Sequence, residues 1–140
     1  MKTTIAAFLV LMQVALSAQT YITDDTISGT WTQAESPYFI MNDVIVTNLV
    51  IEPGVEVVFT GYYSFEILAE NHPPFSSLIA IGTENDSIRF TVQDTTGYHN
   101  NTHTGWAGFG VIYESEVVMK YCIVEYSKSW GLNFENSGLY

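Results

Sequence analysis

Apolar residues recur along this chain in short runs, and a glycine, proline, asparagine, aspartate or serine bounds most of them. Such runs, rich in β-branched and aromatic residues, are typical of β-strands. After the first 18 residues, no stretch keeps an apolar period of 3.6 residues for the length of a stable helix. The pattern therefore predicts an all-β protein. The runs predicted as strands are Ile27–Thr32, Ser36–Ile40, Val44–Val46, Leu49–Ile51, Val55–Phe59, Ser64–Leu68, Leu78–Ile81, Ser87–Thr91, Phe109–Tyr113 and Val117–Glu125.

The spacing of four isoleucines suggests how these strands are arranged. Ile45, Ile67, Ile88 and Ile112 lie 22, 21 and 24 residues apart. A nearly constant period in the low twenties fits a coil of three short strands and three corners, in which each strand pairs with its equivalent one turn away. The spacing predicts that these isoleucines stack in one column of the core. The alternative is a β-sandwich, with a strand roughly every 8–12 residues and no longer repeat.

The N-terminus has the order of a secretory signal peptide. A positive charge at Lys2 precedes the apolar run Ile5–Leu16, and a small residue, Ala18, offers a cleavage site. A membrane anchor is the alternative, but spanning a bilayer takes about 20 apolar residues, and Gln13 interrupts this shorter run. We therefore expect residues 1–18 to be a signal peptide, a mature chain that begins near Gln19, and a secreted or cell-surface location without membrane insertion.

The rest of the chain divides into a cap and a repetitive region. Residues 19–43 are predicted to form an N-terminal cap, with Trp31 and Tyr38 as its plugs, because the first coil of a solenoid must be covered. A ligand platform is the alternative role of Trp31. Residues 44–140 are predicted to form the coils, and since the chain stops among repeats at Tyr140 we expect truncation at the C-terminus.

Composition narrows the choice of partners. Fifteen acidic and four basic side chains give a net charge of −11. No basic surface is available to neutralise phosphates, so we expect no nucleic-acid partner. Anionic membranes and acidic polysaccharides should also be repelled unless a cation bridges them. Cys122 is the single cysteine and cannot form an internal disulfide.

The motifs resemble those of a known family. The resembling stretches are Leu49–Phe59 (LVIEPGVEVVF), Leu78–Phe90 (LIAIGTENDSIRF), Trp106–Gly108 and Tyr121–Tyr126 (YCIVEY), preceded by Ser28–Thr32 and Ser36–Ile40. They are similar to the repeats of right-handed parallel β-helix proteins, the secreted, pectate-lyase-like solenoids of Bacteroidetes surface proteins. The resemblance covers Ile27 to about Tyr126 and implies a right-handed parallel β-helix. Its motifs are corners and core positions, so they specify the fold and not the function.

Two loops are the functional candidates. Asn71–Ser77 contains two prolines, which cannot donate ladder hydrogen bonds, so it should bulge from the coil where the family has a tight corner. Thr95–Gly105 is polar, and loops on repeat scaffolds often carry binding sites. The polar and aromatic candidates in this second loop are Tyr98, His99, Asn100, Asn101, His103 and Thr104.

Metal chemistry has weak support. His99 and His103, with Asp94 nearby, resemble a loose zinc or copper set, but the glycines and asparagines around them favour a solvated loop. Asp24-Asp25 and Glu84–Asp86 offer oxygen ligands for calcium, yet neither has the alternation of a calcium loop, so turn chemistry is preferred. We predict no metal and no cofactor.

Catalysis has equally little support. The polysaccharide lyases that the fold resembles use acidic calcium ligands and a basic residue, but the sequence identifies no acids around Arg89, the only arginine. Glycoside hydrolases need two carboxylates at a defined separation, and Glu52 and Glu56 are expected to face outward rather than to form such a pair. No Gly-x-Ser-x-Gly nucleophile elbow occurs. We therefore assign no catalytic residue.

Aromatic side chains near the loops could bind sugars or pack in the core. The candidates are Tyr62, Tyr63, Phe75, Tyr98 and Trp106. For Trp106 the family resemblance favours a structural role, and Cys122 is expected to pack as a small hydrophobe. Val117–Glu125 has a charge on each face, which predicts a corner inside it and leaves its inward face unassigned.

Together these patterns predict a secreted or cell-surface scaffold, similar to an adhesin, that presents loops to an extracellular glycan or a surface protein without catalysing a reaction in this segment. The alternative is the N-terminal part of a polysaccharide lyase or glycoside hydrolase whose catalytic residues lie beyond Tyr140.

Overall fold

The computed structural model describes residues 18–68, 76–99, 104–112 and 115–135, with side chains up to Lys128. The predicted signal peptide lies outside these residues apart from Ala18. Within the described part, no helix is long and apolar enough to cross a membrane. The strands are β1 Thr20–Ile22, β2 Thr26–Trp31, β3 Tyr38–Ile40, β4 Val44–Ile51, β5 Glu56–Phe59, β6 Ser64–Leu68, β7 Ser77–Ile81, β8 Ile88–Val92, β9 Trp106–Ile112, β10 Glu116–Lys120, β11 Cys122–Val124 and β12 Ser127–Glu135. A short 3-10 helix spans Gln33–Glu35.

The all-β prediction is confirmed, and the described strand pairs are parallel. Sheet A has the strand order β1-β3-β5-β8-β11. Sheet B has the order β10-β7-β4-β6-β9-β12, and β2 also pairs with β4. Parallel strands need a connection that returns the chain to its starting edge. Here the other sheet supplies that connection.

The chain alternates between the two sheets. Each passage through sheet A pairs with the previous passage, so that β3 lies on β1, β5 on β3 and β8 on β5. Strand β4 is long because it fills two positions of sheet B: its first half pairs with β6 and its second half with β7. The predicted cap, residues 19–43, contains β1, β2 and β3, which pair in parallel with the strands that follow.

Side chains that point between the sheets form the core. Val46, Ile67 and Val111 are in register across β4, β6 and β9, and each is at most 1% exposed. Leu49 and Leu78 form a second column, on β4 and β7. Fully burying one such side chain stabilises the fold by about 1.5–3 kcal/mol. The core is therefore built by stacking equivalent positions of successive passages.

Aromatic rings fill the middle of this core. Trp106 stacks on Phe59 with ring centroids 4.1 Å apart and meets Phe109 edge-on at 5.0 Å. Phe65 contacts Phe59 and Phe109 in edge-on geometry. Such offset and edge-on pairs add about 0.5–1.5 kcal/mol beyond the area that they bury.

The predicted column of four isoleucines is wrong. Ile45 lies on the outer side of β4 and is in register with Glu66, whereas Ile67 pairs with Val46 and Val111. Ile88 belongs to sheet A, where it pairs with Cys122, and Ile112 pairs with Leu68. The passages differ in length because loops interrupt them, so a constant sequence period does not reproduce the register.

The predicted plugs are buried. Trp31 and Tyr38 stack with ring centroids 4.5 Å apart and are 5% and 2% exposed. The Tyr38 hydroxyl accepts a hydrogen bond from the Thr32 N–H at 2.8 Å and donates one to Glu35 at 2.9 Å. Burial disfavours the phenolate and raises the pKa of Tyr38. Trp31 is thus a core residue, and its face is not available to a ligand.

Two corners agree with their sequence signals. Gly54, after Pro53, adopts a φ of 76°, a left-handed conformation that glycine tolerates best, and its N–H donates to the Asp86 carbonyl at 3.0 Å. Tyr121, with a φ of 51°, separates β10 from β11. This confirms the corner predicted inside Val117–Glu125. Three side chains around it pack against the core, namely Val117, Met119 and Cys122.

Candidate functional site

The loop that follows β8 is fastened to the scaffold in its described part. Asp94 accepts a hydrogen bond from the Thr96 N–H at 2.8 Å, and the hydrogen bonds from Thr96 lower the pKa of Asp94. The Tyr98 hydroxyl donates to the Ser127 carbonyl at 3.1 Å. The Tyr98 ring meets Tyr126 edge-on, and Lys128 Nζ lies 4.4 Å from its centroid. Tyr98 is therefore an anchor of the loop and not an open binding platform.

The candidate metal ligands do not form a site within the described residues. His99 is exposed and packs edge-on against Tyr98 at 5.2 Å, while His103 lies outside the described residues together with Asn100 and Asn101. No group of three or more histidine, cysteine, aspartate or glutamate side chains in the described part is arranged to hold a metal. Because His103 lies outside the described residues, the prediction of a solvated loop without a metal stays a prediction.

The first candidate loop is described only at its end. Ser76 is fully buried and its hydroxyl donates to the Leu68 carbonyl at 2.6 Å, while the Ser77 hydroxyl donates to the Asn48 side chain at 3.1 Å. Phe75 and the two prolines lie outside the described residues. These two hydrogen bonds link Ser76 to the end of β6 and Ser77 to β4.

Arg89 has two acidic partners that the sequence did not reveal. Its guanidinium donates two hydrogen bonds to Glu125 Oε2, at 2.9 and 2.7 Å, and its Nη1 lies 3.6 Å from Glu56 Oε1. The hydrogen bonds and charge of Glu125 raise the pKa of Arg89. Thr91 donates to the same Glu125 oxygen at 3.1 Å. The guanidinium of Arg89 on β8 therefore links Glu56 of β5 with Glu125, which follows β11. Because it is ion-paired on both sides, it is poorly suited to removing a proton from a substrate.

An acidic groove of about 380 Å³ lies at the corner between the sheets. The Asp43 carboxylate accepts hydrogen bonds from the N–H and hydroxyl of Ser64, at 2.7 and 3.0 Å. The Asn42 amide donates to Asp25 at 2.6 Å. Glu66 completes the acidic lining, and the described lining residues include no basic side chain. The groove therefore repels anionic sugars, and its polar groups mainly hold the corner together.

Two of the remaining candidate aromatics, Trp106 and Tyr63, have structural roles. Trp106 is fully buried, and its indole N–H donates to the Glu125 carbonyl at 2.7 Å. Tyr63 packs against the core. Cys122 is half-buried against the core, as expected, and burial raises the pKa of its thiol. The structural role favoured for Trp106 is confirmed.

A row of one threonine and three aliphatic side chains on the outer face of sheet B was missed by the sequence reasoning. Thr30, Val50, Ile79 and Val118 are in register across β2, β4, β7 and β10, and we call them the outer row. Val50 is 42% exposed. For β4, β7 and β10 the signal was present in the sequence, because an apolar residue stands at the outward position between two inward apolar residues, as in Leu49–Ile51.

A second exposed group lies on the outer face of sheet A. Tyr21 of β1 stacks on Phe39 of β3, with ring centroids 5.1 Å apart and an interplanar angle of 17°. Tyr21 is 58% exposed, and Met41, just after β3, is 40% exposed. We call Tyr21, Phe39 and Met41 the aromatic patch. The sequence analysis predicts no strand at Tyr21, so it did not reveal this patch.

Comparison of the chain with protein-family models, with curated proteins and with solved structures found no match.

Proposed function

We propose that this chain is a segment of a secreted or cell-surface scaffold, built as a right-handed parallel β-helix, that binds an extracellular glycan or a surface protein and catalyses no reaction itself. The alternation of the chain between two parallel sheets supports the β-helix, because each passage pairs with the one before it. The signal-peptide pattern at residues 1–18 supports export.

The observation that carries the binding role is the contrast between the polar and apolar groups of the outer surface. Three polar side chains of the described part are engaged in structural bonds: Arg89 with two carboxylates, Asp43 with Ser64, and Tyr98 with Ser127. The outer row instead leaves Val50 42% exposed on a regular sheet face. Exposed apolar groups in register offer a partner free energy on burial, about 25 cal/mol per Å² of apolar surface.

The enzyme alternative makes a different demand on the same surface. A lyase needs a free basic group beside calcium-binding carboxylates, and a glycosidase needs two carboxylates at a defined separation. In the described residues Arg89 is neutralised by Glu56 and Glu125, and Glu52 is exposed at the corner that follows β4. These arrangements favour the scaffold.

A paired assay tests the proposal. The mature chain, from Gln19, is screened for binding to extracellular glycans and assayed with calcium for product release from anionic polysaccharides. We expect binding without product release. Ile79→Thr, in the outer row, tests whether that face contributes, with Ile45→Thr as the matched control on another outer position. Release of unsaturated or reducing-end products would overturn the non-catalytic proposal.

A further inference from the structure

The aromatic patch presents one ring to solvent in a defined orientation. Phe39 supports one face of Tyr21, at 5.1 Å and 17°, and no other described ring contacts Tyr21. Both residues are on outward positions, because their neighbours Tyr38 and Ile40 are buried and Ile22 packs against the core. The pairing of β1 with β3 fixes the two backbones in register. The ring of Tyr21 is therefore oriented by its stack on Phe39 and by the pairing of β1 with β3, which reduces the entropy lost when a ligand stacks on it.

Polar groups surround the ring. The Tyr21 hydroxyl lies 3.3 Å from the Gln19 side-chain oxygen, and the Thr20 hydroxyl donates to the Glu35 carbonyl at 2.9 Å. Amide groups such as that of Gln19 both donate and accept hydrogen bonds. An apolar face bordered by such groups matches a sugar ring, which has apolar C–H faces and an edge of hydroxyl groups.

The charge of the segment that carries the patch favours neutral over anionic sugars. Residues 18–68 contain seven acidic side chains and no lysine, arginine or histidine. The acidic residues are Asp24, Asp25, Glu35, Asp43, Glu52, Glu56 and Glu66. Arg89 of the neighbouring β8 offsets the charge of Glu56, and the other acidic side chains of this segment leave it negative. A net negative charge disfavours uronates and sulfated sugars, while carboxylates accept hydrogen bonds from neutral hydroxyl groups.

We propose that the aromatic patch is a binding site for a neutral hexopyranose unit of an extracellular glycan, with the sugar ring stacked on the exposed face of Tyr21. This inference rests on the proposed binding function and specifies its ligand. The outer row of sheet B is aliphatic and lacks a ring, so it is less suited to a sugar. Trp106, Trp31 and Tyr38 are buried and cannot take this role.

The chain offers a matched control for the test. Tyr121 is 60% exposed, close to the 58% of Tyr21, but lies on the corner between β10 and β11 without a described stacking partner. Its positive φ of 51° is one that asparagine tolerates well. Tyr21→Asn and Tyr121→Asn therefore remove two equally exposed rings, only one of which belongs to the patch.

The experiment measures binding of the mature chain and its variants to neutral hexasaccharides of glucose, mannose and galactose, with polygalacturonate as the anionic comparator. We expect a neutral hexasaccharide to bind the unmodified chain, Tyr121→Asn and Tyr21→Phe alike. We expect it to bind Tyr21→Asn about tenfold more weakly, a loss of about 1.4 kcal/mol, because this variant lacks the ring on which the sugar stacks. Circular dichroism and urea unfolding of each variant establish that it is folded.

The outcomes separate this inference from the function on which it rests. Equal binding by Tyr21→Asn would overturn the patch and leave the scaffold proposal in place, because the glycan would then bind elsewhere. Absence of binding to every neutral hexasaccharide, or a preference for polygalacturonate, would also overturn the inference. Product release from any polysaccharide would contradict the proposed non-catalytic function instead.

Discussion

Ile67 and Ile45 form a matched pair that tests the register of sheet B. The sequence period places both isoleucines in one core column, but the structure buries Ile67 between Val46 and Val111 and turns Ile45 outward, opposite Glu66. Replacing each with threonine keeps the branch at Cβ, removes the terminal methyl group and puts a hydroxyl in place of the γ-methylene. The substitution should therefore be costly at Ile67 and nearly neutral at Ile45.

The magnitude follows from burial. Ile67 is 0% exposed, so Ile67→Thr loses the transfer free energy of about one methylene, roughly 0.8 kcal/mol. It also places a hydroxyl among apolar side chains, and a buried polar group without a partner costs about 1–3 kcal/mol. The expected loss is about 2–4 kcal/mol, a large share of the 5–15 kcal/mol typical of a domain. At the partly exposed Ile45, the change should stay within about 0.5 kcal/mol.

Equilibrium unfolding in urea measures both variants. With a slope of about 1–3 kcal/mol/M, a loss of 3 kcal/mol moves the midpoint by about 1 M or more. Ile67→Asp should be more damaging still, because it buries a carboxyl group without a partner. If Ile67→Thr matched the unmodified chain, or if Ile45→Thr lost as much stability as Ile67→Thr, the register described for β4, β6 and β9 would be refuted.

Three further predictions concern single contacts. Gly82→Ala would place its Cβ about 2.6 Å from the Tyr121 carbonyl oxygen, and because backbone must move to relieve this contact we expect a loss of about 1–3 kcal/mol in urea unfolding. Ser115→Ala removes a buried hydroxyl that lies 2.8 Å from the Ile112 carbonyl, which should cost about 1–2 kcal/mol in the same assay. Alkylation of Cys122 at pH 8 should be slower in the folded chain than in urea, because burial raises the pKa of the thiol and lowers its thiolate fraction.

The Ser115 prediction has a matched control, and the other two have outcomes that would contradict them. Ser77→Ala, whose hydroxyl bonds a side chain at the surface, should change stability by less than about 0.5 kcal/mol, and a loss equal to that of Ser115→Ala would contradict the role of the buried hydroxyl. Unchanged stability of Gly82→Ala would mean that the Tyr121 carbonyl is not where the structure places it. Equal alkylation rates in the folded and unfolded chains would show that Cys122 is not buried.

Most strands could be predicted from the sequence, because a strand depends on the residue types within a short run. The runs Val44–Val46 and Leu49–Ile51 fall within β4, and Ser64–Leu68 matches β6. Two strands were not predicted from the sequence: β1, near the start of the predicted cap, and β12, which follows the corner at Tyr126. The cis peptide bond between Ser36 and Pro37 had no distinctive signal in the sequence either.

The register of the strands could not be predicted from the sequence, because it depends on the lengths of the loops between them. Ile67 and Val111 are 44 residues apart but are direct neighbours, so one passage with its loops takes twice the assumed period. Ile88, halfway between them, therefore fell into an apparently regular series although it lies in the other sheet. The partners of Arg89 were hidden for the same reason: Glu125 is 36 residues away and meets it only through the pairing of β8 with β11.

The candidate sites could not be predicted for the same reason, since they depend on the fold. Sequence reasoning favours loops, where polar residues cluster, but the described hydroxyl groups of Tyr98 and Ser76 bond to backbone carbonyls of the scaffold. The exposed groups that suit a ligand, Tyr21 and Val50, lie on regular strands. Their outward direction follows from alternation once the inward neighbours are known, and that requires the fold.

A crystal structure of the mature chain would show whether its strands stack as a parallel coil. We expect β4, β6 and β9 to be parallel neighbours, with Val46, Ile67 and Val111 in one buried column, and the chain to wind as a right-handed coil. Antiparallel neighbours, or a column in which Ile45 stacks on Ile67, would contradict it.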